Sequence, residues 1–111
     1  MSKSDDQLKL VVFVPDAYRD PVKQAVFAAG AGGQGLYDCC AFEQPGYGQF
    51  RPLTGSAPFL GSPHTLERVE EWRIEMLVPR ARLSEVITAL RHAHPYEEPA
   101  FDIFERLAPP K

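Results

Sequence analysis

At 111 residues the chain has length for one hydrophobic core, and folding should bury roughly two-thirds of the surface that the unfolded chain exposes. An apolar content of 44% beside 24% charged residues is that of a globular domain and disfavours both disorder and membrane insertion. The net charge of −3, with positive charge nowhere clustered, lacks the surface that phosphate backbones require, so no nucleic-acid partner is expected.

Residues 1–7 are polar and acidic, unlike a signal or transit peptide, and are expected as a flexible tail on a single domain spanning 1–111. The longest apolar run, Leu10 to Val14, is far short of a membrane span, and the expected location is the cytoplasm. The first strand is expected over Leu8–Val14, with Leu8, Leu10, Val12 and Val14 on one face and Lys9, Val11 and Phe13 on the other. Pro15 and Asp16 stop it. A helix then runs to about Ala29, with Tyr18, Val22, Ala25, Val26 and Ala29 at helical spacing. Pro21 fits only a first turn, so Asp20 is expected as the N-cap after a separate turn over Asp16–Arg19, and Gly30 as the left-handed C-cap.

Residues 30–35, Gly-Ala-Gly-Gly-Gln-Gly, match the dinucleotide fingerprint in letters but not in context. The fingerprint needs a strand before it and a helix opening on it; here a helix precedes and a strand follows, so a turn is expected and no nucleotide site. The second strand is expected over Leu36–Gln44, a turn at Pro45-Gly46-Tyr47-Gly48, and a short returning strand over Gln49–Leu53. Cys39 and Cys40 are adjacent, face opposite sides of a strand, and lack the spacing of a zinc or redox pair. They read as small, half-buried residues in a reducing compartment.

Thr54–Thr65, rich in proline and glycine, is expected as a structured loop because Phe59 and Leu60 call for burial. A strand follows from about Leu66 to Val78, in which Trp72, Ile74, Met76 and Val78 alternate with Glu71, Arg73, Glu75 and Leu77. Beyond Pro79 a helix from about Ala81 to His92 carries Leu83, Val86, Ile87 and Leu90 on one stripe. The segment His94-Pro95-Tyr96-Glu97-Glu98-Pro99 leads into a last strand over Ala100–Leu107.

Shifting the chain by 64 residues lays Val14-Pro15 on Val78-Pro79, Val22 on Val86, Ala25 on Ala89 and Val26 on Leu90. Two strand–helix–strand units in tandem predict an α+β, ferredoxin-like β-α-β-β-α-β sandwich, with an extra hairpin and a long loop between the halves. Val11, Phe13 and Leu77 would lie bare on the open sheet face, which predicts a homo-oligomer.

Gly35-Leu36-Tyr37-Asp38-Cys39-Cys40-Ala41-Phe42 and Gly46-Tyr47-Gly48-Gln49-Phe50-Arg51-Pro52-Leu53 resemble the insert domain of the Nif-three-like family. So do Pro58-Phe59-Leu60-Gly61, Leu66-Glu67-Arg68-Val69-Glu70 and His94-Pro95-Tyr96-Glu97-Glu98-Pro99-Ala100. The resemblance implies a stand-alone version of the insert, without the larger dinuclear-metal, hydrolase-like domain that surrounds it in full-length members. Their activity therefore does not carry over, and no catalytic residue is assigned. Cys39 departs from the histidine frequent at that place, which weakens any ligand role there. The second half, through His94-Pro95-Tyr96-Glu97 and Pro99, also resembles the CutA family, which implies a PII-like ferredoxin fold and a trimer, with a dimer next.

No nucleophile elbow, H-E-x-x-H or Walker loop is present. The polar cluster with chemical content is His94, Tyr96, Glu97 and Glu98, an imidazole beside two carboxylates on a segment stiffened by two prolines. It reads either as a turn in which Tyr96 packs and His94 bonds a backbone carbonyl, or as a binding site. In the second case His94 and Glu97 would hold a divalent metal ion, weakly, with Cys40 as a soft ligand if the fold brings it near. His64 and His92 read as structural or solvated. The expected role is an oligomeric binding or regulatory module taking a small ligand or divalent metal between subunits. The alternative is a small enzyme with an inter-subunit active site around His94 and Glu97. An unidentified protein partner is the remaining expectation.

Overall fold

The computed structural model describes residues 6–107 and Pro110. Strand β1 (Gln7–Pro15) leads through a single 3₁₀ turn at Asp16–Tyr18 into helix α1 (Arg19–Ala28). Strands β2 (Phe42–Phe50) and β3 (Glu67–Pro79) follow, then a second 3₁₀ turn at Arg80–Arg82, helix α2 (Leu83–Ala93) and strand β4 (Phe101–Phe104). The 64-residue repeat is kept down to the turns: Asp16–Tyr18 answers to Arg80–Arg82, and the first residue of α1 to that of α2. All pairings are antiparallel, in the order β2-β3-β1-β4, the ferredoxin-like α+β arrangement.

Alternation decides which face of the sheet the helices cover. Leu10, Val12 and Val14 of β1 and Ile74, Met76 and Val78 of β3 form one core with Val22, Val26, Val86 and Leu90 of the helices. Pro21 sits third in α1, inside the first turn, where its missing N–H costs no hydrogen bond. At the other end Gly30 (φ +123°) lets its own N–H reach Phe27 O and that of Ala31 reach Val26 O, closing the helix with a Schellman pair. Among the described residues no helix is long and apolar enough to cross a membrane.

Several expectations are corrected. Residues 33–41 form an irregular loop rather than a strand, because Gly35 (φ +59°) and Cys39 (φ +55°) break the extended path. The extra hairpin does not form: β2 runs straight through Pro45-Gly46-Tyr47-Gly48 and pairs with β3 from Phe42↔Glu75 to Phe50↔Glu67. Proline is tolerated there because β2 is an edge strand, with one side free of ladder bonds. Of the tail expected over 1–7, residues 1–5 lie outside the described residues, while Gln7 opens β1 and is 6% exposed. The last strand is shorter than expected, four residues in place of Ala100–Leu107.

The open face is also less bare than its sequence suggests. Val11 is 4% exposed, and Phe13 and Leu77 are half-buried. Lys9 reaches Glu75, the cross-strand neighbour of Val11, at 3.0 Å, and Arg73 pairs with the same carboxylate, so long polar side chains cover the apolar ones. The exposed apolar surface lies elsewhere. β1 reaches β3 only as far as Glu71, so residues 67–70 of β3 pair with β2 alone in a two-stranded ribbon. Tyr47, Leu53 and Leu66 are exposed on this ribbon and its loop, and Phe42 is exposed at the far end of β2, opposite Glu75. The radius of gyration, 15.4 Å, exceeds the roughly 13 Å of a compact chain of this length.

Candidate functional site

Helix α2 ends where His94 takes an extended conformation (φ −76°, ψ 136°), as a residue before proline must. Its N–H still bonds Leu90 O at 2.9 Å, while its ring turns under the sheet and is 5% exposed. β4 joins β1 at Val12↔Phe101, and the Phe13 amide makes one further bond, to Ala100 O, leaving the Phe13 carbonyl beyond the ladder. His94 Nε2 lies 2.7 Å from that oxygen, and the Tyr96 amide lies 3.2 Å from Nδ1. A carbonyl can only accept and an amide N–H can only donate, so Nε2 carries the proton and Nδ1 offers its lone pair. Burial pushes the His94 pKa below the usual histidine range, partly offset by the Phe13 carbonyl and the charge of Glu71.

The rest of the segment holds a wall in place. The Tyr96 ring packs against His94 (5.0 Å between centroids), Phe50 (5.9 Å) and Phe59 (6.3 Å), and Phe59 meets Tyr18 edge-on at 5.5 Å. Glu97 Oε1 accepts the Ala57 amide at 3.0 Å, which pins the 51–66 loop to the segment. Within that loop Thr54 Oγ1 lies 2.7 Å from His64 Nε2, and the His64 amide bonds Pro52 O. Phe59 and Leu60, expected to be buried, remain 47% and 37% exposed. They face a cavity of about 720 Å³ between the loop, β2, the open sheet face and the His94–Pro99 segment. Phe13, Phe50, Phe59, Tyr96, Glu71 and Arg73 line it, with Glu97 and Glu98.

Two features of this cavity have direct physical causes. Gly48 opposes Val69 on the open face, and a Cβ there would overlap the carboxylate of Glu71, so the missing side chain makes the space in which Glu71 rests. The Tyr96 hydroxyl is buried next to the Glu71 carboxylate without closing a short hydrogen bond to it. Burial raises its pKa, with Glu71 adding to the effect, so the phenol is neutral at physiological pH.

The structure brings Tyr96, Glu97 and Glu98 to one cavity and sets His94 directly beneath it. Cys40 stands apart. Its amide bonds Gly32 O, and the Gly32 amide bonds Leu77 O, four residues along β3 from the cavity-lining Arg73, or about 13 Å. The donor set for a metal ion does not fit: both His94 nitrogens are engaged, one Glu97 oxygen holds the loop, and Cys40 lies toward the other end of the sheet. No group of three or more His, Cys, Asp or Glu among the described residues is placed to hold a metal ion. Sequence reasoning missed Phe50, Phe59, Glu71, Arg73 and Gly48. Alternation already put Glu71 and Arg73 on the open face, but no local signal shows which distant loop closes over them.

No family model matches the chain. Its sequence is homologous to a part of about 100 residues in larger proteins. The GTP cyclohydrolase 1 type 2 homolog of Mycobacterium tuberculosis is 48% identical over 102 residues, which are 92% of this chain and 27% of that protein. The crystal structure of a Bacillus cereus protein related to NIF3 matches with a TM-score of 0.78 at 42% identity, over 90% of this chain and 25% of that one. The chain thus spans about a quarter of the length of the curated relatives it matches. The PII-like protein CutA from Nostoc shares the fold at 14% identity, with a TM-score of 0.63 over 89% of this chain and 80% of its own. Homology to part of the NIF3-related proteins and a CutA-like, PII-like fold are thereby both shown, as the sequence resemblances imply.

Proposed function

We propose that this chain is a non-catalytic binding module that assembles as a homo-oligomer, three subunits before two, and takes a small ligand in the open-face cavity. The observation that carries the reading is the cavity itself: a largely apolar, aromatic-walled space of ligand size with a few polar groups turned into it. The groups that sequence singled out for chemistry hold its walls. His94 ties the end of β1 to Tyr96, and Glu97 ties the loop, so the alternative of an enzyme built on His94 and Glu97 has no observation in its favour. Assembly is supported by the β2–β3 ribbon, since two strands without a third neighbour are marginal in water and these carry exposed apolar side chains. The trimer is the state that the CutA resemblance implies.

Two measurements test the reading. Light scattering at micromolar concentration should give a multiple of the single-chain mass; a single-chain mass overturns the assembly. A neutral apolar fluorophore should bind saturably and be lost in Phe50→Ala and Tyr96→Ala. Binding that survives both substitutions, or no saturable binding to the native chain, overturns the ligand site.

A further inference from the structure

We propose that the cavity selects an organic cation, an ammonium group carried on an apolar body. The proposal rests on the reading of the cavity as a small-ligand site and names the class of ligand. Three rings form one wall: Tyr96 is tilted by 54° to Phe50 and by 50° to Phe59, and all three border the same space. Aromatic faces attract a cation within about 6 Å, the more strongly the further it is desolvated.

The charges around that wall are acidic where they are free. Glu71 stands on the open face with its carboxylate lying over Gly48, and it makes no ion pair among the described residues. Glu97 and Glu98 border the same space at its solvent-exposed rim, Glu97 with one oxygen on the Ala57 amide. Of the two positive neighbours, Arg73 is drawn to Glu75, which it shares with Lys9, and Arg51 is solvent-exposed. An anion entering the cavity would meet the Glu71 carboxylate, which has no ion pair, and a neutral apolar ligand would bury that charge with only the Tyr96 hydroxyl beside it, at a cost in desolvation. An ammonium group meets both needs. Its N–H donors find Glu71 and the adjacent Tyr96 hydroxyl, and its apolar body meets Phe13, Phe50 and Phe59.

The test compares three probes of similar shape on the full chain by calorimetry or NMR titration: phenethylammonium, phenethyl alcohol and 3-phenylpropanoate. The cation should bind at least about tenfold more tightly than the alcohol, and the anion should not bind; the preference should shrink as salt is raised. Glu71→Gln should reduce the affinity for the cation to near that for the alcohol and leave the alcohol unchanged. Gly48→Ala, which displaces the same carboxylate from the neighbouring strand, should repeat the loss. Equal affinity for cation and alcohol overturns the inference, and so does a folded Glu71→Gln variant that keeps the preference. If none of the three probes binds, the inference also fails, while the neutral fluorophore still reports separately whether the cavity is a ligand site.

Discussion

On the helix side of the sheet, β1 and β3 present Leu10, Val12, Val14, Ile74 and Val78, all without exposed surface and all against α1 and α2. Turned over, the same two strands present Lys9, Phe13, Glu71, Arg73 and Glu75, held by the Lys9–Glu75 and Arg73–Glu75 pairs and bordered by the cavity. One face is held by burial, which is non-directional and scales with the apolar area removed from water. The other is organised by directional contacts with defined partners, His94 to Phe13 and Glu97 to Ala57 among them. Stability should therefore reside on the first face and selectivity on the second.

The largest effect should come from the helix face. Leu90→Ala or Leu10→Ala, each at a site with no exposed surface, should cost about 2–5 kcal/mol in urea unfolding. A cost below about 1 kcal/mol at both would break the contrast between the faces. Next comes His94, which is buried and joins them. His94→Ala leaves the Phe13 carbonyl and Tyr96 amide without a partner and should cost about 1–3 kcal/mol.

His94 also gives the contrast a pH signature. Its folded pKa lies below its unfolded value of about 6.5, so the folded state favours the neutral ring. Its contribution should be fully present above about pH 6.5 and be lost as the pH falls through the lower folded value. Denaturation followed between pH 7.5 and 5 should show that decline, and His94→Gln should flatten it.

Smaller effects belong to the cavity face. Phe59→Ala removes a half-exposed ring that bridges Tyr18 and Tyr96, so it should shift stability by less than about 1.5 kcal/mol yet abolish fluorophore binding. Unchanged binding would separate Phe59 from the site. The smallest expected change is at Glu97. Glu97→Ala should leave global stability within about 0.5 kcal/mol, as for most surface positions, while the Ala57 amide exchanges faster with solvent. Exchange at the native rate would mean that the loop is held by its aromatic contacts alone.

Much of the fold is legible in local pattern. The period of two in Leu8–Val14 and Trp72–Val78 assigned the buried face, and the spacing of Val22 and Val26 and of Val86 and Leu90 assigned the helix stripes. The 64-residue repeat then set the topology, because two strand–helix–strand units share a sheet in few ways. What the pattern could not decide was every matter of pairing across distance. Pro45-Gly46-Tyr47-Gly48 has the composition of a turn, and it became strand because β3 offers an unbroken partner along its length. Cys40 and His94 are both plausible ligands in sequence, and the backbone bond from Cys40 to Gly32 holds one of them at the other end of the sheet. The tautomer of His94, the space over Gly48 and the closure of the 51–66 loop likewise depend on partners dozens of residues away. Periodicity records how a segment divides its own side chains between water and core, whereas a cavity is made where separate segments meet, and that meeting is written in none of them alone.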